Sequence, residues 1–137
     1  MITGSGRIEE LDSTACIELL ASRPVGRIAF IHDGRPEILP VNHVVDGWTI
    51  AFRTGYGPKL VAAAAEAPVT FEADDYDPRT RTGWSVVVHG SAESVMDNEV
   101  IERLEALHLD TWAEPHERQQ WVRIHPDTVT GRRVTRD

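Results

Sequence analysis

Phe52-Arg53-Thr54-Gly55-Tyr56-Gly57-Pro58-Lys59-Leu60 reads as a strand that ends in a basic, glycine-punctuated turn and opens a helix. Trp48, Ile50 and Phe52 alternate with Thr49, Ala51 and Arg53, the period of a strand with one buried face. The alanine-rich run from Leu60 to Ala65 favours helix. Gly57 suits the cap and Pro58 the first helical position, where no backbone donor is lost. The first-turn N–H groups of such a helix point beyond the strand, and Arg53, Thr54 and Lys59 add two cations and a hydroxyl. Together they form the equipment for holding an anion such as a phosphate. Glycine and proline also start helices for structural reasons alone, so this stretch by itself leaves both readings open.

Leading into it, residues 26–32, 37–44 and 48–53 read as three strands joined by the turn pairs Asp33-Gly34 and Asp46-Gly47, an antiparallel meander. Within it, Pro40 of Leu39-Pro40-Val41-Asn42-His43 cannot donate to a sheet ladder, so the run either lies at an edge or leaves backbone groups free for a planar ligand. Asn42 and His43 are its polar handles, or plain hairpin-end residues. Before the meander, Asp12, Ser13 and Thr14 cap a short helix that Arg23-Pro24 ends. After it come a helix over 58–66, a strand over 68–73, an exposed polar loop over 74–82 and a long strand over 84–95 that bends at Gly90. Asp97 or Asn98 caps a further helix with Val100, Ile101, Leu104 and Leu107 on one side. A polar link over 110–120 leads to a last strand at 121–125, which 128–134 extends past Pro126. About six short strands with inserted helices predict a small closed or partly closed barrel, since closure removes exposed edges.

The 137 residues fit one domain, 1–137. A formal charge of −8 disfavours nucleic acid as a partner. The apolar runs are too short to span a membrane and residues 1–6 lack the pattern of a signal peptide, so a cytoplasmic protein with no membrane contact is expected. Cys16 is the only cysteine and sits among Ala15, Ile17, Leu19 and Leu20, which predicts a core thiol. His32, His43, His89, His108, His116 and His125 show no zinc-binding spacing, and no protein-bound metal site is expected. A haem needs one axial ligand only, so histidine spacing does not bear on it. Gly83-Trp84-Ser85 lacks a nucleophile elbow. Glu72, Asp74, Asp75 and Asp77 read as a solvated edge with no acid–base role.

Gly26-Arg27-Ile28-Ala29-Phe30, Pro40-Val41-Asn42, Phe52-Arg53-Thr54 with Lys59-Leu60, and Thr82-Gly83-Trp84-Ser85-Val86 with Gly90-Ser91-Ala92 occur in the order seen in a known family. The chain resembles the pyridoxamine 5′-phosphate oxidase-like, FMN-binding split-barrel proteins, and most of all their small actinobacterial and nitroimidazole-resistance-like members. The resemblance runs from Leu11 to Arg133. It implies a mainly β (α+β) fold, a six-stranded antiparallel split β-barrel, acting as a homodimer with FMN in grooves between protomers. Arg53, Thr54 and Lys59 would hold the FMN phosphate. Pro40, Val41, Asn42 and His43, with the backbone near Ala51 and Phe52, would face the isoalloxazine. Trp84 and Ser85 would lie near the dimer interface, Trp84 covering an edge of the partner's flavin or serving as a plain core residue.

The resemblance implies a flavin-dependent oxidoreductase passing a hydride or electrons to a small-molecule acceptor, with a non-catalytic flavin-binding, sensor or interaction dimer as the alternative. The same barrel binding a deazaflavin coenzyme or haem is a third option, although the compact turn from Thr54 to Lys59 suits a short ribityl phosphate best. The end Thr130-Gly131-Arg132-Arg133-Val134 does not align securely with the arginine and histidine signature of the vitamin B6 oxidases, which puts that activity in doubt.

Overall fold

The computed structural model, which describes residues 6–55, 57, 62, 65–109 and 119–136, turns the predicted meander into part of one antiparallel sheet. Its strands are β1 (Gly6–Leu11), β2 (Val25–His32), β3 (Arg35–Asn42), β4 (Val44–Asp46), β5 (Thr49–Thr54), β6 (Pro68–Asp77), β7 (Thr82–Ser94) and β8 (Gln120–Arg136). The described helices are α1 (Ser13–Ala21) and α2 (Asn98–Glu105). Lys59, most of the helix expected over 58–66 and most of the link over 110–120 lie outside the described residues.

The strand order is β3-β2-β6-β7-β8-β5-β4, with β1 on β8. The two ends of that order, β3 and β4, are consecutive in the chain and separated by His43 alone. The sheet curls until its edges meet at this residue, which makes a split barrel. His43 is 4% exposed. Its backbone N–H donates to the Pro24 carbonyl at 3.0 Å, its ring meets Phe71 edge-on at 4.9 Å, and Nε2 lies 2.8 Å from the Leu20 carbonyl at the end of α1. A carbonyl accepts only, so Nε2 carries the proton and the neutral ring leaves Nδ1, buried and without a partner among the described residues, as a bare lone pair.

Turn chemistry sets the local register. Asp33 (φ 51°) and Gly34 (φ 74°) both take the left-handed conformation of a two-residue hairpin whose twist matches the strands it joins. The ladder between β7 and β8 slips between His89 and Gly90, where the sequence predicts a bend. A Cβ at Gly90 would lie 2.1 Å from the His125 carbonyl oxygen, so only glycine fits there. Gly90 faces Pro126, which lets β8 continue through a residue that cannot donate to the ladder. Asp12 caps α1 by accepting from the Ala15 N–H, and Asp97 caps α2 by accepting from the Glu99 N–H.

Inside the barrel, Ile28, Phe30, Val41, Ile50, Phe52, Phe71, Val86, Val88, Val122 and Ile124 interlock with Cys16 and Leu20 of α1. A smaller cluster on the outer side of β5 and β8 holds Ala51, Val95 and Trp121 under Leu104 of α2.

Three elements differ from the sequence reading. β1 is an added strand, paired with the far end of the chain. The run expected over 37–44 breaks at His43 into β3 and β4, so among the described residues the sheet has eight strands where about six were expected. β6 runs on through Asp74 to Asp77, so those acidic residues extend a strand where a loop was expected; along that stretch they pair with β7 alone, and their other side is the solvated edge that the sequence suggests. Glu72 and Asp74 share its outer side, and the Arg27 guanidinium lies 3.2 Å from one and 3.5 Å from the other. One cation between two carboxylates leaves an excess negative charge. Burial, then a hydrogen bond and repulsion from Asp74, push the Glu72 carboxyl up to about 7 against the pull of Arg27.

Two pH dependences of opposite sign result. Burial holds His43 below its ordinary 6.5, with the Leu20 carbonyl pulling weakly the other way. The unfolded chain takes up a proton there that the folded chain refuses, so stability present above pH 6.5 is lost as the pH falls through the folded value. Glu72 keeps its proton to about pH 7 when folded and releases it near 4.5 when unfolded, so its contribution is full below 4.5 and is lost as the pH rises through 7. In thermal melts from about pH 5 to pH 8, His43→Gln flattens the acid limb and Glu72→Gln the upper limb. A limb unchanged by its own substitution refutes that assignment.

Candidate functional site

The end of β5 carries the chemistry. Adjacent strand residues point to opposite sides, so Thr54 follows Phe52 into the core while Arg53 joins Ala51 on the outer side. Thr54 is 6% exposed and its Oγ1 makes only a long contact, 3.3 Å, to the Gly55 carbonyl. Arg53 lies beneath α2, its side chain 22% exposed. The guanidinium sits 5.3 Å above the Trp121 ring, directly across the ladder, and Nη1 is 3.8 Å from Oε2 of Glu105. That distance is an ion pair and too long for a hydrogen bond.

Among the described residues, none of the five N–H groups of Arg53 donates a hydrogen bond, and Nε is fully buried without a partner. Leaving a buried donor unbonded costs about 1–3 kcal/mol, more when it is charged. A mostly buried guanidinium that donates no hydrogen bond to the described residues is a candidate anion site. The open turn that comes next agrees: a Cβ at Gly55 or Gly57 would meet nothing within 4 Å, so neither packing nor a left-handed backbone calls for glycine there. The main chain there is open enough for a ligand to approach it.

The opposite wall is provided by α2. Its Leu104 is fully buried against β5 and β8, with Val100 and Ile101 packed beside it. Arg103 closes on Asp46 with Nε and Nη2 at 2.8–3.1 Å from the carboxylate. Two residues on, Glu105 Oε1 accepts from the Trp121 indole N–H at 2.8 Å.

The other predicted site residues fall elsewhere. Val41, His43 and Phe52 point into the core. Asn42 Nδ2 donates to the Pro24 carbonyl at 3.4 Å beside the His43 corner. Pro40 pairs with Arg27 and shares the outer face of the sheet with Glu72 and Ser85. Ser85 lines two adjoining grooves on that face, of about 410 and 290 Å3, and Arg132 lines both with it. Trp84 packs against the main core from its rim and borders the smaller groove. A single chain thus brings Arg53 to Thr54 and Trp84 to Ser85, but does not bring these two pairs together.

Sequence reading singled out Arg53 and not its neighbours Trp121 and Glu105. Nothing local marks them, because they reach Arg53 only through strand pairing and the docking of α2. Among the described residues no three His, Cys, Asp or Glu side chains gather as a metal site, and no helix is long and apolar enough to cross a membrane.

Comparison with known proteins gives this arrangement relatives. The protein Rv0080 of Mycobacterium tuberculosis is 44% identical over 95% of this chain and 88% of its own length. The FAD-binding protein of Mycobacterium smegmatis superposes with a TM-score of 0.77 at 40% identity, covering 92% of this chain and 97% of that one. An FAD-binding protein of Mesorhizobium loti shares the fold at a TM-score of 0.80 and 24% identity, over 96% of this chain and 99% of its own. The pyridoxamine 5′-phosphate oxidase family model matches residues 12–133, and across that span the chain belongs to this family.

Proposed function

We propose that the chain binds a flavin nucleotide, with the phosphate of the ribityl chain on Arg53, and that two copies form the working unit. The observation that carries this is the Arg53 guanidinium, mostly buried with no hydrogen bond among the described residues. A phosphate offers oxygen acceptors in the geometry that an arginine fork matches. Gly55 contributes an unobstructed backbone and Lys59 a second cation, with Thr54 bordering the turn from the core side. The sequence reading favours FMN, while the Mycobacterium smegmatis relative binds FAD. Both carry that phosphate, and Arg53 serves either.

A bound flavin supplies hydride-accepting chemistry, so the protein has to bind, orient and shield the ring without contributing a nucleophile. With a donor such as reduced nicotinamide and a small oxidised acceptor, this is a cytoplasmic flavin-dependent oxidoreductase. The second copy is supported by the outer sheet face. Strand register puts Ile8, Ile31, Ile38 and Tyr76 on this one face, each more than 60% exposed. Apolar side chains gathered on one face mark an interface. Pairing across it covers them and closes the grooves beside Ser85 and Trp84.

Purified protein is expected to be yellow, to elute as a dimer with light-scattering detection, and to bleach on anaerobic addition of NADH or NADPH. Arg53→Ala with Lys59→Ala is expected to weaken flavin binding more than tenfold, about 1.4 kcal/mol or more, and Thr54→Val to weaken it less. Unchanged affinity in the double variant rejects the phosphate assignment. A flavin that binds yet never bleaches rejects the oxidoreductase and leaves a carrier or sensor.

A further inference from the structure

Arg53 faces a carboxylate that does not close on it, and the reason lies in one residue that touches both. Trp121 lies under the Arg53 guanidinium with its ring at 5.3 Å and holds Glu105 with its indole N–H at 2.8 Å. While that bond is made, Glu105 reaches Arg53 only through Oε2, at 3.8 Å. The same helix shows what an unrestrained pair does: two residues earlier, Arg103 and Asp46 meet at 2.8–3.1 Å. A closed arginine–carboxylate pair sits at about 2.7–2.9 Å and uses the guanidinium fork that a phosphate would need. Glu105 lies about 1 Å short of that, and the indole N–H opposes the step.

We propose that Trp121 is a positioning residue that keeps the anion site open: by tying back the Glu105 carboxylate, it stops Glu105 from consuming the donors of Arg53. Glu105 still supplies countercharge to a half-buried cation, so the guanidinium is tolerated without a ligand and its fork stays free for one. The inference rests on the reading of Arg53 as the flavin phosphate site, and it adds the device that holds that site ready. Trp121 also packs in the cluster under α2, 3% exposed, so a test has to separate packing from the N–H.

Trp121→Phe retains a ring under Arg53 and removes only the indole donor and part of its volume. Titration with FMN and with riboflavin, which lacks the phosphate, reads the two roles apart. FMN affinity is expected to fall about tenfold in Trp121→Phe while riboflavin affinity holds, and Glu105→Gln added to Trp121→Phe is expected to restore FMN binding. A merely structural role lowers both affinities together and is not rescued. Parallel loss of FMN and riboflavin binding, or no recovery in the double variant, overturns the role of Trp121. Failure of the underlying site shows earlier: a wild-type protein that binds FMN no better than riboflavin, or binds neither, overturns the phosphate assignment and this inference with it.

Discussion

The hydrogen bond from His43 Nε2 to the Leu20 carbonyl is the constraint on which the barrel turns. β3 and β4 are the outermost strands of the sheet order and yet neighbours in sequence, so one residue has to carry the chain from one end of the sheet to the other. A polar ring at that corner is sealed from water, and burying it without a partner would cost several kcal/mol. The last turn of α1 supplies the partner, a carbonyl otherwise met only by long backbone contacts just past the helix, the Arg23 N–H at 3.4 Å among them. The position of α1, the packing of Leu20 and Cys16 on the core, and the approach of Phe71 all depend on that one corner.

The parts of the fold that local chemistry decides were legible in the sequence. Asp33-Gly34 specified its hairpin, Asp12 and Asp97 their helices, and Gly90 the slip in the longest ladder. What was hidden depends on partners distant in the chain. β1 is polar and exposed and becomes a strand only because β8 lies beside it. Asp74 to Asp77 look like a loop because carboxylates disfavour strands, and they are held in one by β7 along a full ladder. The site divides in the same way. Arg53 could be picked out from its strand and turn, whereas Trp121 and Glu105 are separated from it by dozens of residues and meet it only through pairing and helix docking. His43 was legible as a polar residue at a hairpin end, but not as a core residue, since that depends on where α1 stops.

Seen from Arg53, the fold is a set of supports for one cation. β5 presents it away from the core, β8 supplies the aromatic surface beneath it, and α2 delivers a carboxylate at a distance that balances charge without binding it. α2 is in turn fastened by Leu104 among apolar side chains and by Arg103 on Asp46 at the β4–β5 hairpin. On the outer face, the same sheet carries Glu72, Asp74 and Arg27 beside exposed apolar side chains, so that face has both a surface for association and one carboxyl, Glu72, whose charge changes near neutral pH.

The longest strand has a consequence for how the molecule is made. β8 pairs with β1, β5 and β7, so every route around the sheet passes through residues 120–136. During synthesis the ribosome releases these residues after all the strands that they join. Until then β2, β3, β6 and β7 can form their ladders and β4 can close on β5, but β1, β5 and β7 have no ladder partner from β8. Contacts of such sequence separation form slowly and leave edges exposed to other chains meanwhile. A nascent chain arrested shortly before residue 120 thus holds the β3-β2-β6-β7 ladders and the β4–β5 hairpin as two separate pieces, with β1 and the β8-facing edges of β5 and β7 unpaired until the last strand arrives.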